Sequence, residues 1–250
     1  MLPEWITKSF HPKTAGFTAI RDEVRSNFYV ASSKLRILPL GDSITYGTGS
    51  SDGNGFRGQL LNNLVADKNT VDMVGSQMAG TMADSDNEGH DGASVPDISA
   101  YADKALRKRP NVVLLYAGTD DMKSATSAAS ATSTIPTLID KILTKCPDAA
   151  LLVAKLIPSS DSAIQGRINS YNTALETIVS SRVASGKRIQ IMHMDAVVAV
   201  GDLSDGTHPN NDAYKLMGDH FYGGVLYAQN QKWIQEPVAG ESAHFQDFFL

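Results

Sequence analysis

The sequence predicts a three-layer α/β/α sandwich built on a central, mainly parallel five-stranded sheet, and three observations predict it. Short β-rich runs alternate with helix-period segments from about residue 36 to about residue 222. Two of the runs, Val112–Ala117 and Ala150–Ala154, are almost unbroken apolar stretches, as strands covered on both faces must be. No repeat or low-complexity linker interrupts the alternation, so one domain accounts for it.

Taken in order, Leu35–Leu40 reads as the first strand, Thr70–Val74 as the second, Val112–Ala117 as the third, Ala150–Ala154 as the fourth and Ile189–His193 as the fifth. Pro96 suits the first turn of a helix, and Ile98, Tyr101, Ala102, Ala105 and Leu106 follow at i, i+3, i+4, i+7 and i+8. The same spacing recurs in Ile135, Leu138, Ile139, Ile142 and Leu143 after a start at Ser133-Thr134. Ile164, Ile168, Tyr171, Leu175 and Ile178 extend it through a longer helix, and Tyr214, Met217 and Phe221 mark a last one. Strand, helix, strand in repeated order makes the sheet parallel. Ligands then bind outside the carboxyl ends of the strands, so the loops after the first and third strands should hold the site.

On this reading the chain divides into an N-terminal extension (1–34), the α/β domain (35–222) and a C-terminal helix and tail (223–250). Phe17, Ile20, Val24 and Phe28 predict an amphipathic helix in the extension, and Phe245, Phe248, Phe249 and Leu250 an apolar tail that docks. The two extensions are surfaces through which two copies would pair as a homodimer.

Composition excludes several classes of function. Lys and Arg number 22 against 27 Asp and Glu, a net charge of −5, which leaves no basic excess for a nucleic-acid partner. With a mean hydropathy of −0.17 and no apolar run near the length of a membrane span, no span is expected. Cys146 is the only cysteine, so neither an internal disulfide nor a cysteine-built metal site can form. Met1-Leu2-Pro3-Glu4-Trp5 lacks the apolar core of a signal peptide and there is no Asn-x-Ser/Thr sequon; the protein either stays in the cell or has lost a leader.

The chemistry-bearing residues sit where the sheet predicts. Directly after the first strand comes Gly41-Asp42-Ser43-Ile44-Thr45-Tyr46-Gly47, a turn able to hold a serine hydroxyl at the sheet edge. A serine needs a base within hydrogen-bond reach to act as a nucleophile, and a third group to orient that base; alone, Ser43 reads as a turn serine or helix cap. Asp205-Gly206-Thr207-His208-Pro209-Asn210, ahead of the last helix, supplies a histidine with a carboxylate three residues before it. Asp205 can bond one imidazole nitrogen and leave the other for the serine, although the segment alone also reads as a helix cap with an incidental histidine.

Together these segments resemble the SGNH hydrolases, also called the GDSL esterase/lipase family. Gly41-Asp42-Ser43 matches the first block of that family, Gly92 in Gly89-His90-Asp91-Gly92 the second, Gly118-Thr119-Asp120-Asp121 the third, and Asp205 with His208 the last. The resemblance covers roughly residues 36–222 and implies a flavodoxin-like SGNH fold and a serine esterase needing no cofactor and no metal. It implies that Ser43 attacks an ester carbonyl, that His208 moves the proton and that Asp205 holds the ring. The oxyanion would be met by the N–H groups of Ser43 and Gly92 and, in the family, by a side-chain amide at the position of Asp120.

Here the sequence departs from the family, because an ionised aspartate accepts hydrogen bonds and cannot donate one. A carboxylate beside a developing oxyanion repels it, and loss of one donor alone costs about 10²- to 10³-fold. The expectation is a weakened or acid-shifted hydrolase in which Asp120 contributes only if protonated, and in which Asp120→Asn raises the rate at neutral pH.

Three other patterns have simpler readings. Gly49-Ser50-Ser51-Asp52-Gly53 fits the GxSxG pattern without the strand that must precede it, and reads as a rim loop. Asp84-Ser85-Asp86-Asn87-Glu88-Gly89 opens like a calcium loop, but its twelfth position is Val95. His193 lies in an apolar run and reads as a strand-end histidine.

Within the family, Gly41–Gly49, Asn54-Gly55-Phe56-Arg57 and Glu88–Gly92 are similar to carbohydrate esterase family three, the acetylxylan esterase-like members. That similarity implies an acetyl ester of a small sugar or a polysaccharide as substrate. The loops Thr45–Arg57 and Gly80–Asp97, rich in Gly, Ser, Asp and Asn, suit an open polar rim. The competing readings are a lysophospholipase- or thioesterase-type member acting on longer chains and a carbohydrate-binding relative impaired by Asp120.

Overall fold

The sheet is organised around its first strand. In the computed structural model, which describes residues 32–240, β1 (Lys34–Gly41) is buried from Ile37 to Gly41. One edge of β1 pairs in parallel with β5 (Val112–Tyr116) from Ile37 to Gly41. Its other edge is shared by β2 (Thr70–Met73) along Lys34–Ile37 and by β4 (Asp86–Gly89) at Leu40 and Gly41. Beyond β5 follow β6 (Ala150–Ala154) and β7 (Ile189–Met192), both parallel. A two-residue β3 (Gln77–Met78) lies antiparallel on β4.

All five predicted strands are present, each end displaced by at most one residue. The sheet nevertheless has seven strands rather than five, because the Gly75–Gly89 segment folds back as the β3–β4 hairpin. β4 reads Asp-Asn-Glu-Gly and carries no apolar alternation; pairing with β1, not its own side chains, makes it a strand.

Among the described residues six α-helices surround the sheet: α1 (Ser43–Tyr46), α2 (Gly55–Ala66), α3 (Val95–Ala105), α4 (Ala125–Lys145), α5 (Ser162–Ala184) and α6 (Asn211–Asn230). α2 packs on α6, while α3 packs on α4 and α4 on α5, the two covering layers that parallel crossovers demand. Every residue of β5 and β6 is buried between them. α3 opens with a capping box between Ser94 and Asp97 and with Pro96 in its first turn.

Several elements differ from the sequence reading. α4 starts at Ala125, not at Ser133-Thr134: Ser124 caps it by accepting from the Ser127 N–H, and the Ser/Ala/Thr-rich first turns have too few apolar side chains to declare a face. Tyr101, expected on the buried stripe of α3, is 41% exposed and stacks on His90 with ring centroids 3.8 Å apart. A domain boundary at residue 222 falls inside α6. After α6 the chain runs back over the amino ends of the strands, where Trp233 O accepts from Arg188, Gln235 O from Asn111 and Val238 O from Arg36. The helix expected on Phe17–Phe28 and the tail Phe245–Leu250 lie outside the described residues.

The largest difference concerns the rim. Thr45–Arg57 was expected to be an open loop, yet Gly55 begins α2 and Arg57 is completely buried. Its guanidinium lies within hydrogen-bonding distance of five main-chain carbonyls, those of Thr45, Tyr46, Gly53, Ala79 and Ser85, at 2.9–3.1 Å. Burial pushes the guanidinium down to about 10, still charged at neutral pH. One cation thus ties the 45–53 loop to the 79–85 loop. Replacing Arg57 by Met would orphan these acceptors, each at about 1–3 kcal/mol, so R57M should lose at least about 3 kcal/mol of stability in denaturant unfolding. Proteolytic nicking within 47–54 or 79–85 should increase along with it.

Candidate active site

The turn after β1 is shaped by backbone sterics. A Cβ at Gly41 would lie 1.9 Å from Tyr116 O and 2.4 Å from Thr45 Oγ1, so only glycine lets β1 run this close to β5 before turning. Asp42 then caps α1, accepting from the Ile44 N–H at 3.1 Å through one carboxylate oxygen. Its other oxygen accepts from the Thr119 N–H at 3.0 Å, which docks the loop after β5 onto the loop after β1. Asp42 is fully buried; burial pushes its carboxyl up to about 6, against the pull of the Thr119 and Ile44 N–H groups.

Ser43, next along, opens α1, and its Oγ lies 3.1 Å from His208 Nε2. The histidine arrives on a tightly bonded loop. Asp205 Oδ1 accepts from the N–H groups of Thr207 and His208 at 2.9 and 2.7 Å, Asp205 Oδ2 meets His208 Nδ1 at 2.7 Å, and Ser204 N–H donates to His208 O. Asn210 caps α6 directly afterwards. Partial burial works against the Asp205 charge, but the His208 and Thr207 N–H groups and the imidazole hold the carboxyl down at about 2. It is therefore an acceptor at any working pH. Nδ1 must carry the proton facing it, and the Nε2 lone pair is left for the Ser43 hydroxyl to donate into.

Gly92 reaches the same sheet edge by strand register. Gly41 stands opposite Gly89 on β4, His90 N–H donates to Gly41 O, and Ala93 N–H closes a turn onto His90 O. Gly92 has φ +76° in that turn, the left-handed conformation that a side chain would strain. Among the described residues neither the Ser43 nor the Gly92 N–H has a hydrogen-bond acceptor, so both can still donate.

Asp120 is also at this edge, in a 3₁₀ turn Asp120–Lys123, but its carboxylate forms an ion pair with the Lys123 ammonium. The group facing Asp120 is thus a cation and a donor, and in this contact the carboxylate is the acceptor. Asp121 points away and accepts from Val95 N–H at 2.9 Å; burial pushes it up to about 6.

Sequence reading missed the support beneath Gly92. Glu88, 3% exposed, accepts from Ser76 N–H and Oγ and meets His90 Nε2 at 2.8 Å, while the His90 ring stacks on Tyr101. A glutamate between Asn87 and Gly89, two residues before a histidine, was the available signal, hidden by the likeness to a calcium loop. That likeness dissolves here: Asp84 accepts from Met73 N–H and Asp86–Gly89 is a strand. His193 stands at the end of β7, with Nδ1 3.8 Å from Glu176 and 3.9 Å from Asp195. Among the described residues no group of His, Cys, Asp or Glu is placed to hold a metal ion, and no helix is long and apolar enough to cross a membrane.

A doubly wound α/β sheet presenting a serine, an imidazole and a carboxylate in hydrogen-bonded series at its carboxyl edge defines a hydrolase-type architecture equipped for acyl transfer. The chain belongs to the GDSL-like lipase/acylhydrolase family, whose model matches residues 40–216. It is 25% identical over 223 residues to a multidomain esterase of Ruminococcus flavefaciens, an alignment taking in 76% of this chain and 28% of that protein. Among solved structures, a family 3 carbohydrate esterase of Clostridium thermocellum is similar with TM-score 0.66 and 27% identity, covering 79% of this chain and all of the other. A family 3 carbohydrate esterase of Talaromyces cellulolyticus shares the fold at TM-score 0.66 and 22% identity, over 79% of this chain and 99% of the other.

Asp42 yields a pH test with a definite sign. Folded, its carboxyl takes up a proton near pH 6, against an ordinary 3.8, so the folded protein gains stability as pH falls through that window and loses it as pH rises. Asp42→Asn lacks this gain and also sets an amide against one of the two N–H donors. Its stability deficit relative to the parent should widen between about pH 6.5 and about pH 4 in urea unfolding. A deficit constant across that range would contradict a carboxyl held this far inside.

Proposed function

We propose that the protein is a serine esterase that removes short O-acyl groups, above all O-acetyl groups of carbohydrates, through an acyl-enzyme on Ser43. The observation carrying this reading is the contact chain Ser43 Oγ–His208 Nε2 at 3.1 Å and His208 Nδ1–Asp205 Oδ2 at 2.7 Å. In the acylation step Ser43 Oγ attacks the ester carbonyl while His208 Nε2 takes its proton. The tetrahedral oxyanion is met by the Ser43 and Gly92 N–H groups, and its collapse expels the sugar hydroxyl, which leaves with the proton from His208. Water then repeats the sequence on the acyl-serine and releases acetate. Asp205, ionised throughout, stabilises the imidazolium that forms in each half.

The substrate assignment rests on two supports. The loop 45–55 that follows Ser43 presents no large exposed apolar side chain on which an acyl chain of eight carbons could lie. The loop that packs against His208 at Gly49 runs on through Ser50, Ser51, Asp52 and Asn54, polar residues that suit a hydroxyl-rich alcohol, and the family 3 carbohydrate esterase neighbours lean the same way. A second reading, a carbohydrate-binding relative with impaired catalysis, is favoured by one residue, Asp120.

An acyl series on 4-nitrophenyl esters decides among these. Activity should be greatest at acetate, fall by about tenfold or more by octanoate, and drop by at least about 10³-fold in Ser43→Ala. A maximum at eight carbons or beyond would replace the acetylesterase by a lipase- or thioesterase-type enzyme. Failure of a serine-reactive phosphonate to label Ser43, with binding of acetylated oligosaccharide retained, would favour the impaired relative.

A further inference from the structure

We propose that Lys123 is a positioning residue of the esterase site: its ammonium pairs with Asp120 and so removes from the site a negative charge that would oppose the oxyanion formed at Ser43. The inference rests on the reading of Ser43 as the acylated residue, and it assigns a role to a side chain outside the serine, histidine and aspartate series.

The argument begins with the company Asp120 keeps. Asp42 and Asp121 are both buried, and the Asp120 charge is among the influences raising each of them. Asp42 adjoins Ser43, and the Thr119 N–H bonded to Asp42 Oδ2 comes from the residue just before Asp120. The Asp120 charge is therefore felt one residue from the nucleophile. Two unit negative charges about 6–8 Å apart in a partly desolvated site oppose one another by about 1–3 kcal/mol at an effective dielectric of about 20–40, roughly 5- to 150-fold in rate.

Lys123 meets Asp120 because both lie on one 3₁₀ turn, whose i and i+3 side chains eclipse. The turn is fixed from two sides. Asp42 holds its start through Thr119, and Arg167 on α5 holds its end, with Nε donating to Met122 O at 2.5 Å and Nη2 to Lys123 O at 3.3 Å. The Lys123 side chain is 63% exposed and that of Asp120 15%, so the cation caps the carboxylate from the solvent side. Such a pair adds little to stability when exposed, and its effect should be read in catalysis rather than in folding.

The test is a double-mutant cycle on 4-nitrophenyl acetate hydrolysis with Lys123→Met, Asp120→Asn and the pair combined, and Ser43→Ala as a separate control. Lys123→Met should lower kcat by about 10- to 100-fold with KM changed less than about threefold, the pattern of an interaction made in the transition state. Lys123→Arg, which keeps the charge, should restore kcat to within about threefold. In the Asp120→Asn background, the loss caused by Lys123→Met should shrink to less than about threefold, because no carboxylate remains to be neutralised.

An equal loss in both backgrounds, or no loss in either, would overturn the proposal. So would a loss that follows a falling unfolding midpoint in both Lys123→Met and Lys123→Gln. If Ser43→Ala keeps the parental kcat, the failure belongs to the assignment of the nucleophile; if it is inactive and the cycle is uncoupled, the failure belongs to Lys123 alone.

Discussion

The carboxylate of Asp42 is the contact on which the rest of the site depends. It is one fully buried group accepting two N–H bonds from different loops, Ile44 after β1 and Thr119 after β5. The first bond starts α1 and so aims Ser43; the second fixes the turn that carries Asp120 and Lys123. Burying a carboxylate is costly, and only donors from both sides make the position tenable. The cost appears as a carboxyl pushed to about 6, the benefit as two loops that cannot shift independently. An amide in its place would offer one acceptor where the structure uses two.

A second buried charge does the corresponding work at the rim. Arg57 satisfies carbonyls of two loops that have little apolar surface to pack, so a polar rim is held in one shape without a hydrophobic plug. The shape matters because the rim abuts the histidine loop: Tyr214 Oη donates to Thr48 O at 2.6 Å, and Ser51 is bonded to Asn211 at the start of α6. Order thus passes from Arg57 through the 45–53 loop to the helix that follows His208. On its own side the histidine is held by Asp205, so the relay is approached from two independently braced segments.

How much of this was legible in the sequence follows from where the signals lie. β5 and β6 were readable because strands buried on both faces must be apolar throughout, and Ser43, Asp205 and His208 because a hydroxyl after the first strand and an imidazole three residues after a carboxylate stand out by residue type, and the structure brings the three side chains into one hydrogen-bonded series. β3 and β4 were not readable: two and four mostly polar residues carry no period, and only pairing makes them strands, β4 on the edge of β1 and β3 on β4. α2 had a signal, Phe56, Leu60 and Leu64 four apart and all buried, which Gly55 and Gly58 on either side of Arg57 obscured. Glu88, His90 and Tyr101 are brought together only in three dimensions, across β4, a turn and α3.

Asp120 is the place where sequence and structure pull against each other most. Read along the chain, it is a wrong residue at an oxyanion position, an acceptor where a donor is wanted. Read in space, it belongs to a short turn that already contains its counter-ion, so the net charge presented by the Asp120–Lys123 pair is near zero. What the turn still lacks is a donor. The oxyanion would then rest on the Ser43 and Gly92 N–H groups, both without acceptors of their own among the described residues. Two main-chain donors on rigid turns, one fixed by Asp42 and the other by Glu88 and the stacked His90–Tyr101 pair, are preorganised in a way that a flexible side chain is not. A site so braced can tolerate a neutralised carboxylate at its edge where an unpaired one would oppose the reaction at each turnover.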